Sequence, residues 1–391
     1  MQNKPPLDDI VVRIGGNEHN IWTHYEIDSD FLTPADAWRV SLGVPVADSP
    51  ADLSLWQQVT VSAGGETILT GRLDRARHRI AKGNHDLELN GRDLTGVLVD
   101  CSAPIFSAQT IDFATLIETI VKPLGIANVD IRTKGLRQKV SIEPGMTAWE
   151  ALQTACELNG CHAWFAPDGT LIVGGPDYTS DPVGELILDR SSDKTNVISL
   201  DIDPGIEEYY SEVTVLAQAH GTAKQRAVAN IKARVEDDVL KEAGIYRPLI
   251  VVDGDAESAD YAQKKARKLL ADSRLSALTI TAEVRGHRAF DEAGQGPLWE
   301  PGQRVYVNCP VAGLDGIYFL MRRTFIGGID GQRTRLELKE DGIWLPDVAT
   351  QKAKAAKGAG KKRKSRKRKG KKGKKGKKSS GPLQVIVRGN V

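Results

Sequence analysis

The 391 residues hold 53 Lys/Arg and 51 Asp/Glu, and the resulting charge of +2 conceals a division: 18 of the basic residues lie from Lys352 onward, no acid follows Asp347, and the first 351 residues sum to −16. Four cysteines, at 101, 156, 161 and 309, are too few and scattered for a disulfide framework, no apolar run approaches the ~18 residues of a membrane span, and the polar residues 1–9 lack the apolar stretch of a secretion signal. The expectation is a soluble chain made in a cytoplasm, with two to four domains drawn from a 40% hydrophobic composition.

From Asp9 to about Asp100 the pattern is two-residue alternation broken by glycine turns. Ile10–Ile14 runs into Gly15-Gly16-Asn17, Trp38–Leu42 alternates cleanly, and Val59-Thr60-Val61 meets Gly64-Gly65-Glu66 before Ile68-Leu69. Short strands at this spacing predict an antiparallel barrel or sandwich. Helices enter after it. Asp112 is placed to cap a helix whose apolar positions Phe113, Leu116, Ile117, Ile120, Val121 and Leu124 share one face, with Gly125 as its stop. Thr147-Ala148-Trp149-Glu150 is a capping box, followed by Leu152, Ala155 and Cys156 on the inner face and Gly160 at the end. Trp149 falls on that face and is expected in the core. Cys161–Ala166, a Pro167-Asp168-Gly169 turn and Leu171-Ile172-Val173 read as a hairpin, completing a small α/β unit over about 105–176.

Strand signals return at 185–188, 197–202 and 212–217. A charged stretch from Gly221 to Gly244 reads as an excursion, and a helix is expected over Ser258–Ser273 with Ala262, Ala266, Leu269 and Leu270 inward. Leu278–Arg285, Arg304–Cys309, Gly316–Phe325 and Thr334–Lys339 are predicted strands, with turns at Gly313–Gly316 and Gly328–Gly331. Beyond Pro346 lies the basic segment, and Leu383–Val387 is a last strand-like run.

The motifs of chemistry are missing from this pattern. Neither a phosphate-cradling glycine loop nor Gly-x-Ser-x-Gly nor His-Glu-x-x-His occurs. Cys156, Cys161 and His162 have the types but not the spacing of a zinc site, because no second pair accompanies them, and a buried packing role is expected. His19 and His24 flank a predicted hairpin as solvated turn residues. Acid pairs such as Glu207-Glu208 and Asp237-Asp238 are expected at the solvated surface, since 51 acids produce such pairs by chance. No catalytic, cofactor or metal residue is assigned.

The basic segment points to a class of partner. Lys361, Lys362, Arg363, Lys364, Arg366, Lys367, Arg368, Lys369, Lys371, Lys372, Lys374, Lys375, Lys377 and Lys378 are the candidate polyanion contacts. A block so charged and so poor in apolar side chains does not repay the entropy of folding and is expected to be disordered. It has no aromatic residue to stack on bases and no apolar face for a membrane, so binding through it would be sequence-independent and salt-sensitive. A plain solvated spacer is the alternative.

A series of motifs in order gives the chain a resemblance. They are Val12-Arg13-Ile14-Gly15-Gly16 with Trp22; Val61–Leu73, containing Gly-Gly-Glu-Thr-Ile-Leu-Thr-Gly; Asn90-Gly91-Arg92-Asp93-Leu94-Thr95; Glu143–Leu152; Asp168-Gly169-Thr170-Leu171; and Leu298–Val305. Over about 9–345 the sequence resembles the baseplate hub proteins of contractile-tailed bacteriophages, the family of the phage Mu P protein and related tail proteins of R-type bacteriocins. The basic segment departs from that pattern.

The resemblance implies an α+β, mainly β fold with two tail-tube-like antiparallel β-barrel domains, smaller α/β insertions and a disordered basic C-terminal tail. The implied domains are a first barrel over 1–104, an α/β domain over 105–177, and a second barrel over 178–348, built from about 178–220 and 276–345 around a helical insertion. A Lys-rich tether at 349–380 and a strand-like end at 381–391 follow. It further implies a non-enzymatic hub that forms a homotrimer, joins the sixfold tail tube to the threefold central spike and nucleates the tube. Implied partners are the spike, tail-tube and other baseplate proteins, with the tape-measure protein or DNA at the basic tail. Its place would be the virion tail baseplate, assembled in the host cytoplasm. A baseplate-associated cell-wall hydrolase and a nucleic-acid binder acting through the tail are the competing readings.

Overall fold

The computed structural model describes residues 8–43, 53–82, 84–104, 107–133, 138–189, 194–219, 228–253, 258–289 and 296–345. The chain divides into two compact units, one of residues 1–204, 278–308 and 315–342, the other of 205–277, 309–314 and 343–391.

The first unit opens with seven strands: β1 (Ile10–Ile14), β2 (Asn17–His19), β3 (His24–Asp30), β4 (Ala37–Gly43), β5 (Gln58–Ala63), β6 (Glu66–Ala81) and β7 (Asn84–Asp93). Their alternation buries Ile10, Val12 and Ile14 of β1, Tyr25 and Ile27 of β3, and Val59, Val61 and Ala63 of β5, while the residues between them face outward. In β6 the alternation holds to Leu73 and then gives way to the exposed run 77–81, which pairs with β7 along the backbone ladder and stacks His78 on His85 with ring centroids 5.4 Å apart. Gly71 and Gly91 allow β6 and β7 to approach where they do, because a Cβ at either would lie 1.9 Å from a carbonyl oxygen of the facing strand.

The α/β segment follows: α1 (Thr95–Asp100), β8 (Ser107–Ile111), α2 (Phe113–Leu116), β9 (Val129–Ile131), β10 (Gln138–Ser141), α3 (Ala148–Leu158), β11 (His162–Phe165) and β12 (Leu171–Gly174). Asp112 caps α2 by accepting from Thr115 N at 2.8 Å. The expected single helix continues as a π turn over Ile117–Val121 and a 3-10 turn over Lys122–Leu124, where Pro123 removes a donor, and stops at left-handed Gly125. The α3 capping box is present in both directions, Thr147 N to Glu150 Oε2 at 2.7 Å and Glu150 N to Thr147 Oγ1 at 3.1 Å. Trp149 is 5% exposed and meets the His162 ring edge-on at 6.5 Å, as its helical phase requires. Cys156 and Cys161 are both buried, and the Cys161 thiol donates to the Cys156 carbonyl.

After β13 (Glu185–Ile187) and β14 (Val197–Pro204) comes the second unit, with β15 (Glu212–Ala219), β16 (Val228–Glu236), α4 (Asp238–Glu242), β17 (Pro248–Asp253) and α5 (Ala259–Ser276). Its ends meet at Gly205 N, which donates to Ala277 O at 2.9 Å. The three strands lie in the order β16-β15-β17, antiparallel on one side of β15 and parallel on the other. Helix α5, capped by Ser258, packs Ala262, Ala266 and Leu270 on Val213, Val215, Ala217, Ile231 and Ala233. The chain then re-enters the first unit with β18 (Leu278–Arg285), β19 (Arg304–Cys309), β20 (Leu314–Gly328) and β21 (Gly331–Glu340).

These strands do not form two separate closed barrels. Among the described residues they make one 13-stranded sheet in the order β14-β18-β21-β20-β3-β4-β7-β6-β5-β1-β2, with β19 and β13 attached beside β20. The physical reason is the use of edges. Strand β20 pairs with β21 on one side and, through Arg322–Gly327, with Tyr25–Asp30 of β3 on the other. Backbone groups that would close each half on itself are spent joining the halves. The mainly β, antiparallel character stands; the closed barrels are corrected.

Candidate functional site

The β3–β20 join is where the first unit concentrates its buried polar groups. A register shift in β20 between Leu320 and Arg322 turns Arg323 to the buried side, opposite Leu336. Its guanidinium donates to the carbonyls of Ile27 at 3.0 Å and Ile68 at 3.3 Å and lies 4.2 Å from the Phe325 ring centroid. Around it Phe31, Asp36, Asp93, Trp164 and Glu300 line a crevice of about 400 Å³, part of it open to solvent. Asp93 accepts from Thr95 N at 3.0 Å and Thr95 Oγ1 at 2.8 Å, and Asp36 accepts from Asp30 N at 3.0 Å. Burial pushes the Asp36 carboxyl up to about 6 despite the pull of Arg323. Burial, then the charge of Asp36, holds Asp93 well above the carboxylate range. Burial thus favours the protonated form of both carboxyls.

A second chain of polar groups crosses the same sheet. Thr334 Oγ1 donates to Gly286 O at 2.5 Å, so it accepts from His287 Nδ1 at 2.9 Å, which leaves Nε2 to accept from the Tyr25 hydroxyl at 2.8 Å. Burial, reinforced by Arg323, lowers the His287 imidazole to about 3, while burial raises the Tyr25 phenol. Gly327 makes room for this chain, because a Cβ there would lie 2.1 Å from the Tyr25 ring. Arg322 adds an ion pair to Asp28 at 2.9 Å across the β3–β20 ladder.

Of the acid pairs read from sequence, Glu207 and Glu208 are exposed. Asp237 is not at the solvated surface. It is 4% exposed, accepts from the Tyr209 hydroxyl at 2.8 Å and from Leu240 N at 2.9 Å, and faces Arg274 at 3.7 Å, because it is the N-cap of α4. His24 is exposed and His19 half-buried against Trp22. The candidate polyanion contacts Lys361–Lys378 and the run Leu383–Val387 lie outside the described residues.

The surface also carries large apolar side chains. The first unit exposes Ile21 at 81%, Ile80 at 74%, Leu55 and Trp56; the second exposes Tyr246, Ile250, Val252 and Val311. Ile250 and Val252 share one face of β17, and neighbouring apolar side chains left in water suit association. Arg323, Asp36, Asp93 and His287 were not singled out by sequence reasoning. The one signal for any of them was Asp93 within the Asn90–Thr95 motif. Among the described residues no helix is long and apolar enough to cross a membrane.

Four family models match in chain order, all describing tail or baseplate proteins: "Mu phage baseplate assembly protein GpP-like, N-terminal" over 9–93, "Baseplate hub protein gp44-like, second domain" over 95–175, "Tail protein NMB1110-like, third domain" over 209–270 and "Tail protein, C-terminal domain" over 272–343. The solved tail protein from Neisseria meningitidis MC58 is 37% identical, with a TM-score of 0.74 over 87% of this chain and 98% of that one. The 43 kDa tail protein of prophage MuSo2 from Shewanella oneidensis shares the fold, at 24% identity and a TM-score of 0.72 over 85% of this chain and 98% of that one. Baseplate hub protein gp44 of Escherichia phage Mu is 22% identical over 359 residues, 88% of this chain and 91% of that protein. These comparisons place the molecule among phage tail and baseplate proteins. The chain belongs to the family of Mu-like phage baseplate hub and tail proteins.

Proposed function

We propose that three copies of this chain form a ring that joins a sixfold tail tube to a threefold central spike and nucleates tube assembly. The observation that carries the reading is the single sheet holding two strand sets, β1 to β7 and β14 with β18 to β21, joined at β3–β20. Two β modules in each chain, repeated three times, give six tube-facing modules on a threefold body. In this reading the modules are residues 1–104 and 178–348, the α/β domain of 105–177 lies between them in sequence, and the protein acts without turnover. Its partners are the spike, tail-tube and other baseplate proteins of a virion assembled in the host cytoplasm. Light scattering of the purified protein is the test: a mass about three times the 42.5 kDa chain supports the ring, and a stable monomer at micromolar concentration overturns it.

The tether of 349–380 is assigned, within the same proposal, a contact to the tape-measure protein or DNA through Lys361–Lys378. Eighteen positive charges after residue 351 carry that assignment. Retention on duplex DNA that falls with salt and is lost on deletion of 352–391 supports a nucleic-acid partner; retention indifferent to both leaves the tether as a spacer.

A further inference from the structure

Strand β17 ends the three-stranded sheet of the second unit. Among the described residues it pairs only with β15, so its other backbone edge has no strand beside it. Its faces differ sharply. Leu249 packs toward α5, whereas Ile250 is 64% and Val252 78% exposed on the opposite side. An edge that is both unpaired and apolar is a template for another strand. We propose that this edge receives the C-terminal segment Leu383-Gln384-Val385-Ile386-Val387 of this same protein, added antiparallel to Pro248–Val252.

Length, pattern and charge each point to that occupant. Five residues, four of them apolar, match the five positions from Pro248 to Val252. With Val385 opposite Ile250, Leu383 falls opposite Val252, and directly opposed residues share a face, so Leu383 and Val385 cover the two exposed side chains. Gln384 and Ile386 then fall on the α5 side, where Leu249, Tyr261 and Leu269 are only partly buried. Charge favours one direction. Of the acids at the end of β17 and beyond it, Asp253 and Asp260 already pair with Lys265 and Lys264, which leaves Asp255 and Glu257 in the sequence after the strand, and Lys374, Lys375, Lys377 and Lys378 precede the segment. In an antiparallel register the lysines fall on the same side of the segment as Asp255 and Glu257 in the sequence; in a parallel one they fall on the other side. A random chain as long as 346–382 has a root-mean-square reach of roughly 30–35 Å.

The inference is independent of the ring, and its test requires no assembled tail. In the full chain, Ile250→Cys with Val385→Cys brings together residues whose Cα atoms in an antiparallel pair are ~4.5–5.5 Å apart, within disulfide reach. Under mild oxidation the linked peptides, read by mass spectrometry, should exceed by at least tenfold those from Ile250→Cys with Gln384→Cys, which point to opposite faces. Linkage within one chain or between two copies both uphold the occupant and tell which copy donates it. Equal linkage of the two pairs, or none, overturns the proposal. Hydrogen exchange at 249–252 should accelerate at least tenfold on deletion of 381–391; unchanged protection means another occupant and also overturns it.

Discussion

Inside the 13-stranded sheet an arginine, a histidine and an aspartate are buried, while on the open face of the three-stranded sheet an isoleucine and a valine stand in solvent. The first arrangement is costly unless its groups are partnered, and Arg323, His287 and Asp93 are each held by hydrogen bonds, although Arg323 Nε is buried without one. The second is costly unless something covers it. One region spends polar groups to fix a single register between β3 and β20; the other keeps apolar surface in reserve. Substitutions in the two places should therefore have separate effects.

The largest effect is expected at Arg323. Arg323→Ala leaves Asp36 without its cation and two carbonyls without their donor, and should lower stability by about 3–5 kcal/mol in denaturant titration. A loss below ~1 kcal/mol would show that the join does not depend on this guanidinium.

A pH series sharpens the same region. Asp36 is raised from 3.8 to about 6, so the folded state holds a proton that the unfolded state releases, and this contribution to stability is lost as pH rises through that window. His287 is lowered from 6.5 to about 3, so the unfolded state takes a proton that the folded state refuses, and stability falls as pH drops. Between about pH 4 and 6 the two slopes oppose. Asp36→Asn removes one of them, and its stability should drop by roughly 1–2 kcal/mol more than the parent's between pH 6 and 4.5. Parallel profiles for the two proteins would count against this coupling.

Within the second unit, Asp237→Ala removes the α4 cap and the partner of the Tyr209 hydroxyl, and should cost about 1–2 kcal/mol. The smallest change belongs to its outer face: Ile250→Thr with Val252→Thr should alter the stability of a chain lacking 381–391 by no more than ~0.5 kcal/mol. A larger loss there would mean that this face is already packed.

Local chemistry was the legible part. The capping box at Thr147, the cap at Ser258 and the strands Leu278–Arg285 and Arg304–Cys309 follow from side-chain spacing alone. Helix α5 runs three residues past its expected end because Leu275 is buried and Arg274 faces Asp237, neither of which spacing reveals. The outer half of β6 was missed because its exposed, charged residues have no apolar face; pairing with β7 holds it. Strand β16 was hidden in a stretch read as a charged excursion, and β17 was passed over. Arg323 was illegible for a different reason, since the register shift that turns it inward depends on β21 and β3 together. The family resemblance reached the tail-protein assignment where motif chemistry found no site, because order and spacing of turns and caps survive even when no residue performs a reaction.

The β3–β20 ladder also governs when the molecule can finish forming. Asp28 and Arg322, which it brings together, are 294 positions apart. At ~5–20 residues per second, synthesis delivers the second partner some 15–60 s after the first. During that interval β3 has β4 on one side and a bare backbone edge on the other. Completion of the sheet is therefore a late, long-range event, slow by the general dependence of folding rate on contact separation. A chain halted before Arg322 would present that edge to every neighbour on a crowded ribosome.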